Sequence, residues 1–312
     1  MFYRHGGDAV ALFFSLSGFI FFWLFAQAVA RQELTAKQFF IDRFSRVYPL
    51  HLATFAGVAL LQMIYTRHTG NAFVYPFNDL YHAVLNLFLA PAWGLEQGWS
   101  FNAPAWSVSV EVLLYALFFL LWRYTSFPVL FSVMLVGVAV YLFPGQYKIT
   151  LGVFSFFCGG LAYRVVTWLS QRGSARWVGG GLVIGCAAAW WLLDTDQPLT
   201  KFALLFPLTI MAIAACHRLL EPLARRLAWL GDISYASYLL HFPLQIVAAL
   251  LADKFFPGRS VFYQPWTLLL FFAVLITASL VCHRGFERPL QRWLRQPLRQ
   301  CAAGDVIERS GL

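Results

Sequence analysis

Ser234, Ser237, Tyr238 and His241 recur at i, i+3, i+4 and i+7 within the segment GDISYASYLLHFPLQ, so a helix carries all four on one stripe. Ile233, Ala236, Leu239 and Leu240 cover the rest of that surface. A hydroxyl-rich stripe ending in an imidazole suits proton transfer, because a neutral ring keeps one nitrogen as acceptor. The same side chains would also serve as hydrogen-bonding contacts between helices. The sequence leaves both readings open.

Two further groups carry comparable chemistry. Arg43 and Arg46, in the run FFIDRFSRVYPLHL, are three residues apart and share a helix face. Paired guanidinium forks there can grip phosphate, or act as ordinary basic anchors at a membrane surface. In FNAPAWSVSVEVLLYALFF, Ser107, Glu111 and Tyr115 are spaced i, i+4, i+8, with Trp106 beside them. A carboxylate two turns into an apolar helix must be paired, protonated or wetted by a cavity. It could orient a base, accept a hydroxyl proton or hold a sugar; it could also be half of an internal ion pair. Ser17, in FFSLSGF, belongs to a small-residue patch that allows close helix contact.

The elements that must position these side chains are membrane helices. The chain of 312 residues is 60% hydrophobic and 12% charged, with a mean hydropathy of +0.65. That is too little charge to cover a soluble protein of this size. At about 20 residues per crossing, the pattern predicts spans near 8–30, 47–66, 105–123, 127–144, 149–167, 177–194, 201–217, 231–252 and 264–283. A shorter apolar piece, 80–91, is expected to re-enter or lie at the interface. The fold class is therefore all-α, a polytopic bundle of about nine helices plus that segment. One membrane domain is expected over 1–296 and a cytoplasmic C-terminal tail over 297–312. His241 then lies about ten residues, or ~15 Å, from the inner end of its span.

With the N-terminus outside, Arg4, Arg67, Lys148, Lys201, Lys254 and Arg259 alone fall on the outer side, and the rest of the 23 Lys and Arg lie inside. The tail ERPLQRWLRQPLRQ is then cytoplasmic and suited to anionic lipid headgroups. Topology accounts for the net charge of +9, so no nucleic-acid partner is expected. The five cysteines form neither a Cys-x-x-Cys pair nor a metal-ligand cluster, and no metal is expected.

The pieces ALFFSLSGFIF, DRFSRVYPLHL, APAWSVSVEVLLYALF, GDISYASYLLHFPL and GFERPLQRWL occur in that order over residues 10 to about 294. Together they resemble the membrane-bound acyltransferase-3 family. The resemblance implies about ten helices around a pore-like cavity. An acyl group, acetyl being the simplest choice, would pass from cytoplasmic acyl-CoA, a co-substrate and not a bound cofactor, to a hydroxyl of a cell-surface or lipid-linked carbohydrate. It assigns Arg43 and Arg46 to the donor. It matches Trp106, Ser107 and Glu111 to a Trp-Ser-x-x-x-Glu element, Tyr238 and His241 to Ser-x-Tyr-x-x-His, and Glu287 and Arg288 to a terminal Glu-Arg. Glu111 and His241 are the candidate catalytic groups, and Ser17, Trp106, Ser107, Tyr115, Ser237 and Tyr238 the candidate cavity lining. The bacterial inner membrane is the expected location.

One departure concerns the family's first helix, which carries a basic residue and a His thought to be the catalytic base. The sequence begins only a few residues before the LFFSLSGF segment, and His5 does not occupy the equivalent place. A tenth helix before Met1 is one expectation, and an impaired fragment or a base role for His241 are others. A transporter or flippase is the competing class, since ionisable residues within spans also mark substrate paths. It predicts matching Gly/Pro-broken helices in two halves, and the sequence displays no such pair.

Overall fold

The structure, a computed structural model, describes residues 6–142 and 147–296; the 297–312 tail, His5 and Arg4 lie outside them. Among the described residues the regular structure is helical, without strands. In chain order the helices are α1 (Gly6–Leu24), α2 (Ala26–Ala30), α3 (Ala36–Thr69), α4 (Leu80–Leu87), α5 (Ala105–Tyr124), α6 (Pro128–Leu142), α7 (Tyr147–Arg172), α8 (Ala175–Leu192), α9 (Pro198–Thr200), α10 (Phe206–Ala215), α11 (His217–Phe255), α12 (Pro265–Cys282) and α13 (Arg288–Leu294). Wider π-type turns, Lys201–Leu205 and His283–Glu287, join α9 to α10 and α12 to α13. Among the described residues, seven helical stretches are long and apolar enough to cross a membrane, and two shorter apolar helices lie at 128–142 and 177–192. Each of the nine expected spans falls on one of these. This is an integral membrane protein: with lipid as solvent, a helix satisfies its own backbone polar groups.

The chain divides into two compact units, one of residues 1–35 and 110–226 and the other of 36–109 and 227–312. In the first unit α1 packs along α7 at very short range. A methyl group at Gly18 would overlap the Phe156 carbonyl, and one at Gly159 would overlap the Ser15 carbonyl. Around this seam Phe14, Phe22, Phe118, Phe156 and Phe157 are fully buried. At the other end of α1, Lys201 Nζ donates to Asp8 Oδ2 at 2.7 Å, which ties the π-type turn to the start of α1.

In the second unit Val58 and Tyr65 of α3, Phe101, and Phe242, Ile246 and Ala249 of α11 share one buried cluster. The Tyr235 hydroxyl donates to the Val47 carbonyl at 2.5 Å, in the turn of α3 that contains Pro49. Arg259 closes the far end by donating to both Asp253 oxygens (2.6 and 2.8 Å) and to the Tyr65 hydroxyl (2.6 Å).

Between α3 and α5 runs a segment pinned by side chains. Asp79 caps α4, accepting from the His82 backbone N–H at 2.9 Å and from His82 Nδ1 at 2.9 Å. His82 Nε2 accepts from the Gln97 N–H at 3.2 Å, so the ring is the Nδ1–H tautomer. Those donors, the His82 backbone N–H first, hold the Asp79 carboxyl below its ordinary 3.8. A depressed carboxyl contributes stability that is present above the ordinary value and is lost as pH falls through the folded one. The melting temperature of Asp79→Asn should therefore lie below that of the native chain at pH 6, and the gap should close below pH ~3.8. An unchanging gap from pH 6 to 3 would refute the assignment.

Candidate active site

The expected site residues fall into two groups, one in each unit. In the first unit, Glu111 on α5 is almost fully buried, and Ser17 Oγ of α1 donates to its Oε1 at 3.3 Å. One turn along α5, Tyr115 is buried and stacks on Phe21, with ring centroids 4.7 Å apart and planes 12° from parallel. The α1–α7 seam draws α1 in tightly enough to bring Ser17 within reach of the carboxylate.

In the second unit Ser107, near the start of α5, donates to the Tyr238 hydroxyl of α11 at 2.9 Å. Trp106 stands edge-on to Trp99, with centroids 6.1 Å apart and planes at 83°. His241 Nδ1 lies 2.6 Å from the Tyr238 carbonyl. A carbonyl can only accept, so Nδ1 carries the hydrogen and the neutral ring keeps its lone pair at Nε2. Its own helix thus fixes the ring's tautomer and leaves Nε2 as the acceptor of the neutral form.

The serine stripe behaves differently. Ser234 Oγ donates to the Gly231 carbonyl and Ser237 Oγ to the Ser234 carbonyl, at 2.8 and 3.0 Å. Both hydroxyls are thus satisfied within α11. The buried face of that helix is the apolar set Ile233, Ala236, Leu239, Phe242 and Ile246, while Ser237, Tyr238 and His241 are half-buried and Ser234 is exposed.

Asp42 organises the start of α3. Arg43 pairs with it from the adjacent position, and Arg295 reaches its carboxylate at 2.9 Å. Arg295 also donates to Ser45 Oγ (3.0 Å) and to the Asp42 carbonyl (3.1 Å). Arg46 is exposed and close enough to act electrostatically on buried Glu287, whose Oε2 receives His283 Nδ1 at 2.6 Å. Arg288, Gln291, Arg292 and Arg295 line a groove on α13, with Arg288 paired to Asp232 at 2.9 Å. Among the described residues, the five guanidinium groups of Arg43, Arg46, Arg288, Arg292 and Arg295 are thus set against the three carboxylates of Asp42, Asp232 and Glu287.

Sequence reading misses a polar chain deep in the second unit. His51 Nε2 donates to the Asn86 carbonyl at 2.7 Å. Asn86 Nδ2 donates to the His82 carbonyl and to Ser100 Oγ, at 2.9 and 3.0 Å. Asn102 Nδ2 donates to the Leu239 carbonyl at 3.1 Å. All four side chains are buried. A His inside the apolar stretch PLHLATFAGVALL was the available signal; Asn86, Ser100 and Asn102 have no periodic pattern to reveal them.

Comparison with known proteins bears on what these groups do. A family model described as an acyltransferase domain, that of the acyltransferase-3 family, matches residues 5–284. Acyltransferase MdmB of Streptomyces mycarofaciens is 26% identical over 337 residues, covering 94% of this chain and 83% of its own. Exopolysaccharide production protein ExoZ of Rhizobium meliloti (strain 1021) is 27% identical over 325 residues, covering 96% of this chain and 93% of its own. No solved structure matches significantly.

Proposed function

Because the chain belongs to the acyltransferase-3 family and is an acyltransferase of the membrane, we propose that it moves an acyl group, acetyl in the simplest case, from acyl-CoA to a carbohydrate hydroxyl. The relative named for exopolysaccharide production supports a glycan acceptor, and a bacterial inner membrane is the compartment that fits. The observation that carries the donor half is the surplus of guanidinium groups where α3 begins and α13 lies. Of the expected donor pair we keep Arg46 and add Arg292 as the groups that would meet anionic oxygens of the CoA phosphates, since Arg43, Arg288 and Arg295 hold carboxylates. A shallow surface of this kind selects phosphate as planar forks select it, by bidentate donation.

In the transfer, the acceptor oxygen attacks the thioester carbonyl carbon while His241 Nε2 takes its proton. A C–O bond forms, the C–S bond breaks, and the CoA thiolate leaves to be protonated as the free thiol. The Tyr238 hydroxyl, which accepts from Ser107, would stabilise the oxyanion.

Purified protein in lipid nanodiscs, given labelled acetyl-CoA and a glycan acceptor, should transfer label to the glycan. Arg46→Ala should raise the KM for acetyl-CoA by about 10- to 100-fold, the loss expected for one charge-assisted hydrogen bond, and leave the acceptor KM unchanged. An unaltered donor KM in both Arg46→Ala and Arg292→Ala would remove the donor assignment. Flux of glycan without thioester turnover would favour a transporter instead.

A further inference from the structure

We propose that Asp42 and Asp232 are built-in competitors for the phosphate groups of the donor, and that they set which anions the α13 groove accepts. The identity of the ligand as acyl-CoA rests on the function proposed above; the competition rests on the ion pairs and is read with a phosphate probe.

Arg288, Gln291, Arg292 and Arg295 recur at i, i+3, i+4 and i+7, so they form a single stripe of α13. Together they line a groove of about 220 Å³. The two ends of the stripe, ~10 Å apart along the helix, are each held by a carboxylate from a different helix. Arg288 Nη2 donates to Asp232 Oδ2 of α11 at 2.9 Å, and Arg295 Nη2 meets Asp42 Oδ1 of α3 at 2.9 Å. Arg292, between them, is exposed. The Asp42 carboxylate also receives Arg43, so one aspartate serves two guanidinium groups of the cluster.

A carboxylate and a phosphate offer a guanidinium fork the same pair of oxygens. An anion that enters the groove must therefore take the forks from a tethered competitor, whose effective concentration is on the order of millimolar. A free carboxylate brings nothing that Asp42 and Asp232 do not already supply. A phosphate group carries about −1.5 to −2 charges and three acceptor oxygens, so it wins an exchange that a carboxylate loses. The aspartates thus act as repulsive elements, which raise specificity while they lower affinity. Neither pair is sealed from water. Asp42 and Arg295 are 29% and 30% exposed, and Asp232 and Arg288 50% and 48%. Ion pairs this exposed are weak and open readily, which an exchange of partners requires. The less exposed pair, at Asp42, is the stronger competitor. Its opening does not undock α13, because Arg295 also donates to Ser45 Oγ and to the Asp42 carbonyl.

The test uses the full chain in nanodiscs of zwitterionic lipid, with inorganic pyrophosphate as probe and calorimetry as readout. The native chain should bind pyrophosphate, and acetate at the same concentration should not displace it. Asp42→Asn keeps the shape of the side chain and removes its charge. It should lower the Kd about 5-fold, the upper end of what a partly exposed ion pair withholds. Asp232→Asn, a surface change that spares the fold, should lower it about 2-fold, and the two gains should multiply to roughly tenfold in the double variant. The KM for acetyl-CoA should fall in parallel. A purely structural role for Asp42 predicts the opposite sign, a loosened start of α3 and weaker binding. The proposal is overturned if the variants bind pyrophosphate no more tightly than the native chain, or if acetate displaces it from the native chain. Loss of pyrophosphate binding in nanodiscs of phosphatidylglycerol would also overturn it, by assigning the groove to anionic headgroups. If the variants gain pyrophosphate affinity while acetyl-CoA keeps its KM or labels no acceptor, the competition holds and the donor reading of the groove fails.

Discussion

Gly18→Ala and Gly159→Ala are each expected to destabilise the protein by about 3 kcal/mol or more, the upper end of overpacking costs. The added methyl would meet a backbone carbonyl, of Phe156 in one case and Ser15 in the other. A flexible side chain can swing aside, but a helix backbone moves only with its helix. Separating α1 from α7 loosens Phe14, Phe22, Phe156 and Phe157 together, all fully buried, and close van der Waals packing of this kind is a main force that holds helices together in lipid. Native proteins typically have a total stability of roughly 5–15 kcal/mol, which leaves little room for such a loss. Gly180→Ala, where nothing lies within 4 Å, is the control; helix propensity alone makes it neutral to stabilising by up to ~1 kcal/mol. Melting in a mild detergent should rank Gly180→Ala at or above the native chain and the two seam variants well below. Seam variants that melt with the native chain would show that α1 and α7 are not so close. Since α1 also carries Ser17 to Glu111, the seam variants should lose transfer activity along with stability.

This seam shows where sequence reading stops. Length and apolarity locate the spans, because a helix in lipid satisfies its backbone by itself whatever its neighbours are. Packing is a matter of pairs, and pairs leave no local mark. The runs CGG and GGG look alike in the sequence, yet Gly159 and Gly160 lie in a close contact while Gly180 and Gly181 face open space. The serines of α11 raise the same difficulty. Their spacing places them on one stripe, but only the structure shows Ser234 and Ser237 spending their hydrogens on their own helix. Asn102 is the converse case: a short polar residue in a loop, invisible to periodicity, becomes a fixed acceptor because Leu239 lies 137 positions away in sequence and adjacent in space. Glu111 and the arginines were legible because charge in an apolar chain is itself conspicuous. Their partners were not.

Replacing His241 should have the largest effect on the chemical step. Removal of a positioned base costs typically 10²–10⁴-fold in rate, so His241→Ala is expected to lower kcat by a factor in that range with little change in either KM. Alanine also deletes the hydrogen bond to the Tyr238 carbonyl, and a structural role would then give the same result. His241→Asn separates the two, since its amide nitrogen can approximate Nδ1–H and keep that bond while nothing remains at the place of Nε2. The asparagine variant should therefore melt near the native chain and yet lose kcat as alanine does. The pH profile adds an independent reading. A base acts only when unprotonated, so kcat/KM of the native chain should fall on the acid side with a slope of one, and that limb should vanish from the residual activity of the asparagine variant. If His241→Asn keeps native kcat, or keeps the acid limb, the proton goes elsewhere and the imidazole serves only to tie a turn of α11 together.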